Sequence, residues 1–320
     1  MASLMLLLLL LQSLLPLLIF SLFSGVSAVA TFTIANNCRY AVWPGILSSA
    51  GAAPLATTGF ALAPGEARAV DAPAGWSGRI WGRTLCGGGG GGGAFSCATG
   101  DCGSGAIECS GGGAAPPATL AEFTLDGSGS NDFYDVSLVD GYNIPMLVAP
   151  QGGSGPNCRP TGCLADLNGV CPSDLKVVVG GEGVACRSAC DAFGAPQYCC
   201  SGAYGSPSTC GPTSYSLFFK NACPRAYSYA YDDATSTFTC AAATASSYII
   251  TFCPSTSSLK SSSANPEAAG LPLINNTMVF VSGAAVPGRA DRRSGLHLSL
   301  LLVVSVHMLT WHFFLFSRPF

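Results

Sequence analysis

The sequence predicts a mainly β fold, a sandwich of antiparallel strands with a disulfide-tied, partly helical lobe. Three observations carry that expectation. Short runs rich in β-branched and aromatic residues recur through the middle of the chain, each bounded by Gly, Pro, Asn or Asp. All 16 cysteines fall between Cys38 and Cys253, an even number in a chain that opens with an export signal, and are read as disulfides. One stretch, "VACRSACDAFGAPQYCC", breaks the strand pattern with the apolar spacing of a short helix.

Taken in order, residues 1–28 form a leucine-rich leader, "LMLLLLLLQSLLPLLIFSLF", ending in small residues, which reads as a secretory signal peptide cut near Ala28 although no basic residue precedes the apolar run. The globular unit covers residues 30–254. Its expected strands are "ATFTIANN", "FALAPGEARAVDAP", "SGRIWGRT", "ATLAEFTL", "FYDVSLVDG", "NIPMLVAP", "YSLFFKNACPRAYSYAYDD" and "SYIITFC". A cysteine-dense lobe lies at about 158–223. Residues 255–282 are Ser/Ala/Pro-rich and read as a stalk, which carries the sequon Asn275-Asn276-Thr277, a glycosylation site at Asn275 in an exported chain.

Residues 283–320 end in an apolar run, Leu296 to Phe316. A membrane span there would leave "RADRR" outside, against the usual placement of basic residues. A lipid-transfer signal fits better: small residues from Ser282, the expected attachment residue, then a polar spacer and a tail that is removed. The expected location is the outer side of the plasma membrane, in the apoplast, as a GPI-anchored, monomeric protein.

Composition excludes several functions. Between Thr31 and Pro254 nine basic residues face fifteen acidic ones, a balance of −6, which argues against nucleic acid and against charge-driven attack on anionic membranes. The run "CGGGGGGGAFSC" lies between two cysteines with no following Lys-Ser or Lys-Thr, so it is a disulfide-closed loop rather than a phosphate cradle. The unit has no histidine, and extracellular thiolates are poor candidates for zinc, so neither metal nor cofactor is expected.

The chemistry concentrates in "AEFTLDGSGSNDFYDVSLVDGYN" (121–143), which holds five acids and no base. If "LAEFTL" and "DFYDVSL" form an antiparallel hairpin with Leu125 opposite Asp132, then Phe123 meets Tyr134 and Glu122 meets Asp135. One face is then apolar and the other acidic. Directly opposed like charges are destabilising, and a one-residue slip would undo the pairing. Such a pair titrates high and as a unit. Asp140 sits in a turn from which it can reach the same place. Asp126, Asp132 and Asp233 read as solvated surface charges. Phe133 and Tyr142 are either sugar-facing or core.

At "GAFSCATGDCGSGAIEC" (93–109) the chain closely resembles the diagnostic motif of the thaumatin-like proteins, the pathogenesis-related family 5 of plants. "ATFTIANNC", "GRIWGRT", "PPATLAEFTL", "DFYDVSLVDGYNIPM", "QYCCSG", "CGPTSYSLFFKNACPRAYSYAYDD" and "ITFCP" follow in family order, so the resemblance covers residues 30–254. It implies an eleven-stranded flattened β-sandwich, a disulfide-rich lobe and a small loop domain, with an acidic cleft between core and lobe. It also implies the pairing Cys38–Cys253, Cys86–Cys97, Cys102–Cys109, Cys158–Cys240, Cys163–Cys223, Cys171–Cys186, Cys190–Cys199 and Cys200–Cys210.

The resemblance further implies cleft acids at Glu122, Asp135, Asp140 and Asp232. The family's cleft arginine is replaced by Ala115, so the cleft is expected to lack a guanidinium. The implied function is extracellular defence by binding β-1,3-glucan or a related wall polysaccharide. The alternative is a weak endo-β-1,3-glucanase using Glu122 with Asp135 or Asp140.

Overall fold

In strand β1 (Ala30–Asn36) every second residue is buried, Phe32 and Ile34 completely, while Thr31, Thr33 and Ala35 stay half-buried. That alternation fits a strand with one face on a core and the other toward water. The computed structural model of the protein describes residues 30–88, 94–241 and 247–254. The leader, the stalk, Asn275, Ser282 and the apolar tail lie outside the described residues.

β1 lies between β3 (Ala67–Ala72), antiparallel, and β13 (Ser247–Phe252), parallel. Beyond β13 come β8 (Met146–Gln151) and β9 (Thr161–Cys163), giving a five-stranded sheet. The second, six-stranded sheet has the order β12 (Phe238–Ala241), β7 (Asn131–Ser137), β6 (Leu120–Thr124), β4 (Ser77–Gly87), β2 (Trp43–Ser48), with β5 (Ser96–Thr99) paired to β4. Phe32 packs against Trp76 and Phe123 at ring distances of 5.3 and 4.7 Å, and Tyr248 against Phe123 and Tyr134 at 5.2 Å. These rings are the centre of the core, each contributing about 1.5–3 kcal/mol by burial.

The mainly β sandwich is therefore as the sequence predicts, with five and six strands in its two sheets. The lobe adds a separate hairpin, β10 (Lys176–Val179) and β11 (Glu182–Cys186), and the short helices α1 (Ala189–Phe193) and α2 (Pro196–Cys199). Disulfides join Cys38–Cys253, Cys86–Cys97, Cys102–Cys109, Cys158–Cys240, Cys163–Cys223, Cys171–Cys186, Cys190–Cys199 and Cys200–Cys210. Lobe and sandwich also share backbone bonds, Tyr142 and Cys186 exchanging N–H···O contacts of 2.8 and 2.7 Å.

One expectation is overturned. "YSLFFKNACPRAYSYAYDD" reads as a strand because it is aromatic, yet helix α3 occupies Ser214–Ala222. A reciprocal capping box between Thr213 and Ser216 starts it, and Ser216 and Phe219, three apart, are its buried residues. Lys220 in its last turn suits the helix dipole. Capping and packing outweigh the β preference of the rings. Among the described residues no helix is long and apolar enough to cross a membrane.

Candidate functional site

The β6–β7 hairpin has the register that places Glu122 opposite Asp135 and Phe123 opposite Tyr134. β4 pairs with the other edge of β6, and there Arg79 stands opposite Glu122. Arg79, Glu122 and Asp135 thus form one cross-strand row on the outer face of the six-stranded sheet, while Ile80, Phe123 and Tyr134 fill the inner face. On one side of the row the outer face is roofed. Trp81, Leu120, Ala118 and Cys109 make a small second core there, and the Trp81 indole donates to Gly100 O at 2.8 Å. The acids therefore line the margin where the covered half of the sheet meets its open half.

A cleft without a guanidinium, expected from Ala115, is not what the structure has. Arg79 Nε lies 3.8 Å from Glu122 Oε1, with side chains 41% and 36% exposed. An ion pair this open contributes at most about 1 kcal/mol. Burial raises the Glu122 carboxyl above its ordinary value; Arg79 pulls it down and Asp140 pushes it up. Asp135 is pushed up further, by burial first and then by Glu122 and Asp233. Its Oδ2 is buried and has no hydrogen-bond partner, so little holds the ionised form in place. The row is an arginine-relieved glutamate beside an aspartic acid that favours its proton.

Asp140 reaches the row from the turn after β7. Gly141 in that turn has φ +89°, and a Cβ there would meet Cys186 O and Pro117 Cβ at 2.7 Å, so only glycine lets the turn wedge between core and lobe. Asp140 raises both Glu122 and, across the junction, Asp191 of α1. Asp191 lies 3.6 Å from Arg187. Sequence reasoning passed over Asp191 and Arg79, because both arrive through pairings between segments distant in the chain.

Asp232 is held by partners of its own. Its Oδ2 accepts from Lys220 Nζ at 2.9 Å and from the backbone N–H and hydroxyl of Ser228 at 3.0 Å, and Oδ1 accepts from Thr235 at 3.1 Å. With the side chain 10% exposed, it is a staple for the 228–236 loop. Of the three acids expected at the surface, Asp126 and Asp233 are exposed and only Asp132 changes role. Asp132 is 1% exposed, accepting from Tyr248 OH at 2.8 Å and from the Asp126 N–H at 3.0 Å. Asp126 accepts from the Gly75 N–H at 3.0 Å. Asp233 accepts from Tyr227 OH at 2.8 Å and bears electrostatically on Asp135. Tyr142 is core, its hydroxyl donating to Ala165 O at 2.9 Å. Among the described residues no group of three or more His, Cys, Asp or Glu is arranged to hold a metal ion.

The raised Asp135 makes a signed prediction. A carboxyl that holds its proton more tightly folded than unfolded contributes full stability below the unfolded value, about 3.9, and loses it as pH rises through the folded value. Asp135→Asn should therefore raise the urea midpoint at pH 7, and the gain should vanish at pH 3.5. An equal shift at both pH values would mean that ionisation of Asp135 carries no cost.

The chain matches the thaumatin family over residues 36–254. It is 60% identical over 232 residues to Thaumatin-like protein 1 of Arabidopsis thaliana, covering 71% of this chain and 86% of that one. Pathogenesis-related protein 5 of Arabidopsis thaliana is 56% identical over 232 residues, 72% of this chain and 93% of the other. A protein of Prunus avium named glucan endo-1,3-beta-glucosidase is 54% identical over 233 residues, again 72% and 93%. With the family match spanning well over half of the sequence, this chain belongs to the thaumatin family.

Proposed function

We propose that the domain is an extracellular pathogenesis-related defence protein that binds β-1,3-glucan or a related wall polysaccharide along the Arg79–Glu122–Asp135 row. The observation that carries this is the opposition of Glu122 and Asp135 with Asp135 leaning toward its protonated form. A neutral carboxyl both donates and accepts hydrogen bonds, as sugar hydroxyls do, whereas a fully ionised pair would only accept. The relatives named pathogenesis-related protein 5 and glucan endo-1,3-beta-glucosidase support the class of ligand. Eight disulfides fit an oxidising compartment outside the cell. Lipid attachment at Ser282 would keep the protein on the membrane surface; release of the protein from cells by a phosphatidylinositol-specific phospholipase tests it.

The second reading is weak endo-β-1,3-glucanase activity, favoured by the Prunus avium relative. Hydrolysis further needs one protonated and one ionised carboxyl across the scissile bond, whereas binding needs only the opposed pair that the hairpin presents, so binding is the better supported function. Laminarin separates the two. Binding without new reducing ends, weakened about tenfold by Glu122→Gln, supports a binding module. Reducing-end release abolished by the same substitution supports the enzyme, and unchanged binding in Glu122→Gln removes the row from either.

A further inference from the structure

We propose that Asn168 is a self-modification site at the joint between lobe and core: the backbone nitrogen of Gly169 displaces its side-chain amide, and the product releases the lobe turn that Asn168 fastens. Asparagine is chemically labile, most of all before glycine, because a residue with no side chain lets its backbone nitrogen approach the asparagine Cγ. Asn168-Gly169 is the one Asn-Gly pair in the sequence. It occupies the two central positions of a turn that Val170 closes by donating to Leu167 O at 3.3 Å. The Gly169 N–H donates to no group among the described residues, and Gly169 and Val170 are exposed. The nucleophile is therefore unengaged and open to water.

A single hydrogen bond holds the Asn168 side chain, from Nδ2 to Asn143 O at 3.0 Å, while its Oδ1 is buried without a partner. One neutral bond adds little net stability, so the side chain turns toward Gly169 at small cost. Asn143 is the core end of this contact. Its side chain accepts from the Thr119 N–H at 3.0 Å and donates to Gly82 O at 2.8 Å and to Thr99 Oγ1 at 2.9 Å. The residue before it, Tyr142, makes the backbone exchange with Cys186 of the lobe. Asn168 thus ties a lobe turn to the core beside the bonds that already join the two.

The chemistry needs only water and stands apart from polysaccharide binding. Gly169 N gives up its proton and bonds to Asn168 Cγ, and the Cγ–Nδ2 bond breaks as that proton leaves on ammonia. Water then opens the cyclic imide at either carbonyl, giving aspartate or isoaspartate. Aspartate puts a carboxylate oxygen where an N–H donated, 3.0 Å from the Asn143 carbonyl, and two acceptors repel. Isoaspartate adds a carbon to the main chain of a turn that has no slack, since a Cβ at Gly183 of β11 would meet Asn168 O at 2.7 Å. Either product is anionic, and the Lys176 ammonium, 3.3 Å from Gly169 O, offers it the counter-charge that Asn143 lacks.

The test is to age the full chain at mildly alkaline pH and follow it by peptide mass mapping and amide hydrogen exchange. Wild type should gain about 1 Da at Asn168 roughly tenfold faster than at Asn157 or Asn221, and Gly169→Val should slow that gain about tenfold. Valine fits there without strain, because the φ of Gly169 lies outside the left-handed region and a Cβ would meet nothing within 4 Å. Exchange reads the latch: in aged wild type and in fresh Asn168→Asp, the Tyr142 and Cys186 amides should exchange about tenfold faster than in aged Gly169→Val. Should Asn168→Asp fail to fold, aged wild type against aged Gly169→Val still decides. Equal gains at the three asparagines, or a gain that Gly169→Val does not slow, overturn the modification site. A deamidated turn with unchanged exchange overturns the latch.

Discussion

Replacing Cys38 and Cys253 together by serine should lower the free energy of unfolding by about 4 kcal/mol, within the ~2–5 kcal/mol expected for removing a native bridge. This disulfide spans 215 residues, the longest closed loop in the protein, and a cross-link restricts the unfolded chain more as its loop grows. It also joins the residues just after β1 to those just after β13, two strands already paired in parallel. Folded geometry should survive the loss, with unchanged near-ultraviolet dichroism at low temperature and a much lower urea midpoint. A midpoint within about 1 kcal/mol of wild type would show that the remaining bridges already restrict the unfolded chain as fully.

Lys220→Met should cost about 2–3 kcal/mol, below the range for fully buried pairs because the two side chains are still 19% and 10% exposed. Methionine keeps an apolar stem but removes three donations, to Asp232 at 2.9 Å, Ser236 Oγ at 2.9 Å and Ala226 O at 3.1 Å. Asp232 is left with Ser228 and Thr235 as its partners, too few for a poorly solvated carboxylate. Laminarin affinity measured below the unfolding transition should not change, because Asp232 braces a loop. A parallel loss of affinity would return Asp232 to the binding site.

The core was readable wherever one strand's own sequence carries the signal. β1 and β7 alternate cleanly, so their buried and outward residues follow from period two. The hairpin register was readable as well, since matching the apolar faces of two strands neighbouring in sequence leaves one pairing that buries Phe123 with Tyr134. Helix α3 was missed for the converse reason. Its aromatic content favours strand, and only the Thr213–Ser216 box marks a helix start. Asp132 looked solvated because it is a carboxylate beside a turn; Tyr248, over a hundred residues away, makes it a buried acceptor.

The sequence by itself determined the sandwich, the family resemblance, the crowding of acids on one hairpin and the opposition of Glu122 to Asp135, because each depends on contacts local in the chain or on motif order. Tertiary structure alone decided what those acids face. Arg79 stands beside Glu122 because β4 pairs with the far edge of β6, Asp232 is paired with Lys220 of a helix, and Asp140 acts on both Glu122 and Asp191. The charge state of a carboxyl depends on burial and on whichever charges come near it. Those neighbours come from strands and helices that only folding brings together.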